Sequence, residues 1–436
     1  MDLKSLGIKY NLADLELFTQ NISTQKISFV ANKLKHAESV HTNGVALRLI
    51  HNKKIGFTSN YKSNIKDLNQ IEKMVLQALE LSKFSPEVNI ELPGESQTCS
   101  SKNGKNVACN SLTVFEEKGN HIIETILKEA PNVLVNVSFD ISEIDEGLEN
   151  TRGLGYSHSK DLYSFSVNIR ETIENDFIDI YTGMVDETLP KHMDDVSEIL
   201  KYYKLSKKHA KIKGGSWPVL FTSKAVKDLF NVIELALNGK QVNQKSSPWH
   251  NKLGKQVLSG LITLKQDPSF GYMARSHDDE GVAVRPLILV DNGILENFYF
   301  DLLNAHRKGL IKTPSGNGFK PSLSSKPEPN LLNIIVSSGN KSMDEIVRNI
   351  DYGLLVDQTM GGLTTNISGD MSVNVDVGFL IEKGELIGRV KDTMVSGNIY
   401  NALSGNNVLE LSNSPKWHWS NTYNPDILIG GFMVTG

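Results

Sequence analysis

Residues Val133, Val135, Val137, Phe139 and Ile141 are apolar at every second position, with mostly polar neighbours between them. A period of two sends alternate side chains to opposite faces of an extended chain, so this segment is expected to be a half-buried strand. Tyr163, Phe165, Val167 and Ile169 repeat the pattern in the same half of the chain, and Val373, Val375, Val377, Phe379 and Ile381 repeat it in the other.

Turn chemistry supports the same reading. Asp291-Asn292-Gly293 separates two apolar runs, Leu287 to Val290 and Ile294 to Phe298, and the Asn-Gly pair supplies the positive backbone angles of a tight hairpin. Lys383-Gly384 turns the Val373–Ile381 strand back into Leu386 and Ile387. Near the amino terminus, Leu15 to Phe18, Ile27 to Val30, Val45 to Leu49 and Ile55 to Phe57 read as four short strands of a meander.

Helical spacing is interleaved with the strands. Leu68, Ile71, Val75, Ala78 and Leu79 form one apolar face behind a cap at Ser63 or Asn64, and a second helix holds Phe115, Ile122, Ile123, Ile126 and Leu127 before Pro131. Met193, Val196, Leu200 and Tyr203 stripe a third, and Ser342 with Glu345 forms a capping box. Ser223 to Gly239 is amphipathic, with Ser223 as its expected cap, Val226, Leu229, Phe230, Ile233 and Leu237 on one face, and Asn238-Gly239 at its end. Pro86 to Asn110 and Lys312 to Asn330, the latter with four prolines, read as long loops.

The fold class expected is α+β in two domains. Residues 1–213 form an amino-terminal α/β meander domain and residues 214–436 a strand-rich domain of mixed or antiparallel sheet, with the boundary near Gly214-Gly215.

Charge and cysteine content narrow the function. A formal net charge of -4 over 436 residues offers no basic footprint for nucleic acid, so direct binding is not expected. The two cysteines, Cys99 and Cys109, make no disulfide framework. The longest apolar run, Ile427 to Val434, is too short and glycine-broken to cross a bilayer, and the first ten residues lack an apolar signal core, so a cytoplasmic protein without membrane contact is expected.

Candidate chemistry is sparse. His36, Glu38 and His41 lie in a predicted strand, where the odd separation sends the two imidazoles to opposite faces. Asp278-Asp279-Glu280-Gly281 is the densest acidic cluster and reads first as a turn whose carboxylates satisfy backbone amides. Trp417 and Trp419 read as anchors of the chain's last segment. No phosphate-binding loop and no glycine-flanked nucleophilic serine is present.

The order of several segments resembles the TldD/PmbA family of metalloproteases, also called modulators of DNA gyrase. The likeness runs through G-V-A-L-R at Gly44, N-T-R-G at Asn150, D-D-E-G-V at Asp278, A-H-R-K-G at Ala305, S-G-N-G at Ser315 and G-D-M-S at Gly369, spanning nearly the whole chain. In that family the TldD branch places an H-E-x-x-x-H zinc motif on the helix from Ser223, with a further cysteine ligand near the carboxyl terminus. Here Phe230 and Leu235 stand at the histidine positions, Asn231 at the glutamate and, near the cysteine position, Leu411. The chain is therefore more similar to the TldE (PmbA) branch, which lacks the zinc motif.

That resemblance implies a non-catalytic subunit with no cofactor of its own. The implied partner is a TldD-like chain holding zinc and the glutamate base in a heterodimer, and the substrate an unfolded or extended peptide. It also implies that the acidic segment lies near the active cleft, so Asp278, Asp279, Glu280 and His306 are the candidate substrate-binding residues. A peptide-binding or regulatory scaffold, homodimeric when alone, is the alternative reading.

Overall fold

The computed structural model describes residues 3–62, 67–94, 99–102, 111–174, 176–189, 193, 195–307, 309, 314–361 and 366–436. The first half is organised by one strongly elongated sheet. Its path runs Lys54–Tyr61, Lys33–His51, Asp14–Val30, Leu134–Asn150, Gly155–Ile173 and Cys99–Lys102, and Asp176–Asp186 also pairs with Gly155–Ile173. Neighbouring strands are antiparallel except for Cys99–Lys102, which runs parallel to Tyr156–Ser159.

The predicted alternation is realised at Val135, Val137, Phe139 and Ile141, which are all buried. Phe139 stacks on Phe115 of the Ser111–Glu129 helix at 4.9 Å and packs against Phe165 of the next strand at 5.2 Å. The apolar stripe of that helix therefore has a reason to lie where it does: it covers the apolar face of the sheet.

Several local readings are corrected. Leu15–Phe18 and Ile27–Val30 are two ends of a single strand, Asp14–Val30, because the polar stretch between them is paired on both sides. The Leu68–Ser82 helix is capped by Asp67, whose side chain accepts the amides of Asn69 and Gln70, whereas Ser63 and Asn64 lie outside the described residues. The third helix begins at Ser197, so Met193 and Val196 are buried just ahead of it. Within Pro86–Asn110, Cys99–Lys102 is a strand, and residues 95–98 and 103–110, with Cys109, lie outside the described residues.

In the second half, Tyr352–Thr359, Gly215–Phe221, Ile427–Thr435, Met394–Asn398 and Asp370–Glu382 follow one another in an eight-stranded sheet. An additional pairing of Tyr352–Thr359 with Asp370–Glu382 closes these five strands into a ring. The expected turns are in place: Asn292 and Gly293 have φ of 46° and 80°, and Lys383 and Gly384 have 50° and 80°. The Ser342–Glu345 capping box is formed in front of Met343–Arg348. A six-stranded sheet, including Leu264–Gln266, Leu287–Asp291 and Thr422–Asn424, lies beside the ring, and the Ser223–Leu237 helix packs on Tyr352–Thr359 and on Thr422–Asn424.

The two halves share apolar packing. One core joins Phe139, Phe165, Ile199 and Tyr202 to Leu220, Leu355, Phe379 and Ile381, so side chains from both sides of residue 214 leave water together. Trp419 reaches the same junction from the second half, lying over Gly183, where an added Cβ would stand 1.8 Å from its ring.

Candidate functional site

The Ser223–Leu237 helix follows directly from the Gly215–Phe221 strand. Its N-cap is Thr222, not Ser223, and the Thr222 side chain makes no capping bond. The Ser223 amide instead donates to Asp426 Oδ1 at 2.7 Å, a carboxylate supplied from the last strand region at the positive end of the helix dipole. Asn238 ends the helix and accepts the Lys240 amide as cap of the short Gly239–Asn243 helix. Gly239 is required there, since a Cβ would stand 2.1 Å from the Phe300 ring.

Phe230 is fully buried and belongs to the same apolar core as Leu411, which is 3% exposed. Asn231, Glu234 and Leu235 lie on the half-buried side of the helix. Phenylalanine and leucine side chains offer no lone pair, so the residues at these positions do not fit a zinc ion. Among the described residues no three His, Cys, Asp or Glu side chains gather as a metal-binding group.

Glu234 is one of three titratable groups on that side, with Lys227 and Asp228. Burial pushes its carboxyl up to about 7, opposed by the Asn421 side-chain amide, which donates to it at 3.2 Å.

At the amino end of the helix, Ser223 Oγ and His418 Nε2 share a hydrogen bond of 2.9 Å. The pair is a poor nucleophile and base. Burial, with Lys224, Lys416 and Lys227 nearby, pushes His418 down to about 3, too weak a base to take a serine proton at neutral pH. The adjoining cavity, lined by Ser223, Lys224, Asp357 and His418, is about 20 Å³, room for a water and not for a peptide.

The acidic segment lies at the junction of the two halves, and its carboxylates face three ways. Asp278 is 1% exposed and accepts three backbone amides, from Glu280 and Val282 on Oδ1 and from Gly318 on Oδ2. Asp279 accepts the Lys320 amide at 2.7 Å and pairs with Arg275 at 3.0 Å. Glu280 accepts Arg48 Nη1 at 2.7 Å and the Leu302 amide at 2.7 Å. Gly281, at φ 76°, lets the turn approach Leu154 so closely that a Cβ would stand 2.1 Å from it.

Arg48 is the centre of this network. It is 4% exposed, and its guanidinium also grips Glu16 through Nε at 3.1 Å and Nη2 at 3.0 Å. Burial would weaken its charge, but Glu16 and Glu280 hold it above its ordinary value. Beside it, Lys320 lies over the rings of Phe18 and Phe57 at 5.3 and 5.0 Å, and burial pushes its ammonium down to about 8.

His306 is half-buried on the Leu302–Arg307 helix, and its Nδ1 has no hydrogen-bond partner among the described residues. Of the four candidate residues, Glu280 lines a cavity of about 240 Å³ between the halves, with Arg48, Asp301, Asn304 and Arg307. Within the predicted loop at 312–330, residues 312 and 313 lie outside the described residues, and from Gly318 it is fastened: Gly318-Phe319 pairs with Glu328-Pro329. Arg48, Arg275, Lys320, Asp301 and Glu234 were not singled out from the sequence. For Arg48 the signal was available, a lone charge inside the apolar run Val45-Ala46-Leu47-Arg48-Leu49.

An α+β, strand-rich chain in two halves is the architecture of the PmbA/TldA metallopeptidases. Residues 214–436 match the C-terminal domain of that family and residues 15–82 match its domain 1, so the chain belongs to the TldD/PmbA family. The TldD metalloprotease homolog of Buchnera aphidicola subsp. Acyrthosiphon pisum is 31% identical over 189 residues, covering 43% of this chain and 37% of that relative. The PmbA homolog of the same organism is 28% identical over 197 residues, covering 45% of this chain and 41% of the relative. The match thus spans less than half the length of either relative. The crystal structure of TldE from Thermococcus kodakarensis superposes with a TM-score of 0.89 at 22% identity, covering 100% of this chain and 99% of that one. Among the described residues, no helix is long and apolar enough to cross a membrane.

Proposed function

We propose that this chain is the TldE-like subunit of a two-part cytoplasmic metallopeptidase acting on unfolded or extended peptides, with zinc held by a TldD-like partner. The observation that carries the reading is the set of apolar side chains at Phe230, Leu235 and Leu411, where the family's zinc branch needs imidazole and thiolate. A chain so built contributes shape and peptide contacts, and the hydrolytic step belongs to its partner. The acidic segment supports the junction of the two halves, and Glu280 brings one carboxylate of it to the cavity wall.

The test is a reconstitution. The purified chain is expected to hold no stoichiometric zinc by elemental analysis and to leave a denatured protein substrate uncut. Native co-purification is expected to recover a chain bearing H-E-x-x-x-H, and the mixture to cut the substrate until a chelator is added. A tight equivalent of zinc on this chain alone, with chelator-sensitive cleavage, would refute the assignment.

A further inference from the structure

We infer that the cavity between the two halves is a subsite for the free carboxylate end of a short peptide. Its volume, about 240 Å³, is many times the roughly 15 Å³ that one water needs on the same measure, so it has room for an organic group. The inference rests on the peptide reading above and names which part of a peptide is held.

Charge complementarity chooses the carboxylate. Most charges in the wall are already matched: Arg48 with Glu16 and Glu280, and Lys240 with Glu328 at 3.1 Å. Asp301 Oδ1 accepts both the backbone and the side-chain amide of Asn304, at 2.8 and 2.7 Å. Arg307 and Lys326 are different. Both line the cavity, and among the described residues neither has an ion pair with an acidic side chain. A guanidinium fork and an ammonium in one cavity wall suit a carboxylate.

The rest of the wall chooses a peptide over a bare anion. Ile55 and Ile90 from the first half and Leu303 from the second place an apolar surface in the same cavity as the two cations. Inorganic phosphate has nothing to set against that surface, whereas the last residue of a peptide presents a side chain and a carboxylate together.

Calorimetric titration of the purified full chain with N-acetyl-leucyl-leucine tests this, with the C-terminal amide and inorganic phosphate as the other arms. The free acid is expected to bind at least tenfold more tightly than the amide, and the double variant Arg307→Gln/Lys326→Gln to lose at least tenfold of that binding. Both residues are exposed, so the variant is expected to melt as the parent does. Equal binding of acid and amide, or unchanged binding by the double variant, overturns the proposal. Displacement of the free acid by equimolar phosphate overturns it in favour of a simple anion site. The titration needs neither zinc nor a second subunit, so its failure is distinguishable from failure of the subunit assignment.

Discussion

Arg48 and Glu280, 232 residues apart in sequence, meet at 2.7 Å with both side chains under 5% exposed, joining the first strand pair to the turn at the head of the second half. Glu16 holds the other side of the same guanidinium. Replacing Arg48 by methionine keeps much of the volume but leaves two buried carboxylates without their cation. Breaking a buried pair in this way costs on the order of 3–5 kcal/mol. Urea denaturation of Arg48→Met is expected to show that loss, and Arg48→Met/Glu280→Gln to recover part of it. A double variant no more stable than the single one would mean that Glu280 does not sense the missing charge.

Glu234 gives the molecule a pH dependence with a definite sign. Its carboxyl is pushed up from 4.5 to about 7 by burial, so between those values the folded chain holds a proton that the unfolded chain has released. Stability from this group is therefore present below about 4.5 and lost as pH rises through 7, by up to about 3 kcal/mol at 1.36 kcal/mol per unit. Glu234→Gln keeps an acceptor for Asn421 and removes the charge. It is expected to be more stable than the parent at pH 8 and nearly equal to it at pH 4.5. Denaturation curves at the two values check this, and an equal difference at both would mean the carboxylate is solvated.

What was legible in the sequence follows from the range of the forces involved. Alternation at Val133–Ile141, the Asn292-Gly293 and Lys383-Gly384 turns and the Ser342 capping box are set within a few residues, and all are found in the structure, whereas the alternation expected over Val373–Ile381 holds only to Val377, beyond which the strand is buried on both faces. Local rules favour Ser223 as the cap of the Ser223–Leu237 helix, whereas Thr222 holds that position and the Ser223 amide is met by Asp426, some 200 residues away and so beyond the reach of local pattern. The single Asp14–Val30 strand was split in the sequence reading because its middle is polar, and pairing to two neighbours replaces the missing apolar signal. The family and the acidic cluster were visible as motifs. That the cluster is gripped by Arg48 and two loop amides was not, since those partners lie about 40 to 230 residues away along the chain.

Gly183 and Trp419 make a second tie between the halves, one of shape. A Cβ at Gly183 would stand 1.8 Å from the Trp419 ring and 2.2 Å from the Phe165 carbonyl oxygen. Gly183→Ala therefore forces the indole or the strand to move, and overpacking of this kind typically costs 1–3 kcal/mol. The variant is expected to melt lower and to change the tryptophan emission. Adding Trp419→Ala is expected to relieve the part due to the ring and not the part due to the Phe165 carbonyl. A Gly183→Ala protein with the parent's melt and emission would show that the two halves adjust freely there.

The two positions that would carry imidazoles in the zinc branch differ in burial, and the difference is measurable. Phe230 is 0% exposed within the core that also holds Leu229, Ile233 and Leu411, so Phe230→Ala is expected to cost about 3–5 kcal/mol. Leu235 is half-buried, so Leu235→Ala is expected to fall below the 2–5 kcal/mol typical of a fully buried leucine, at about 1 kcal/mol. Thermal melts of the two variants should separate clearly. Leu235 keeps part of its surface exposed, as do Asn231 and Glu234 on the same side of the helix. If that face is the subunit contact, Leu235→Ala weakens association with the partner more than it lowers the melt, a split that Phe230→Ala cannot produce.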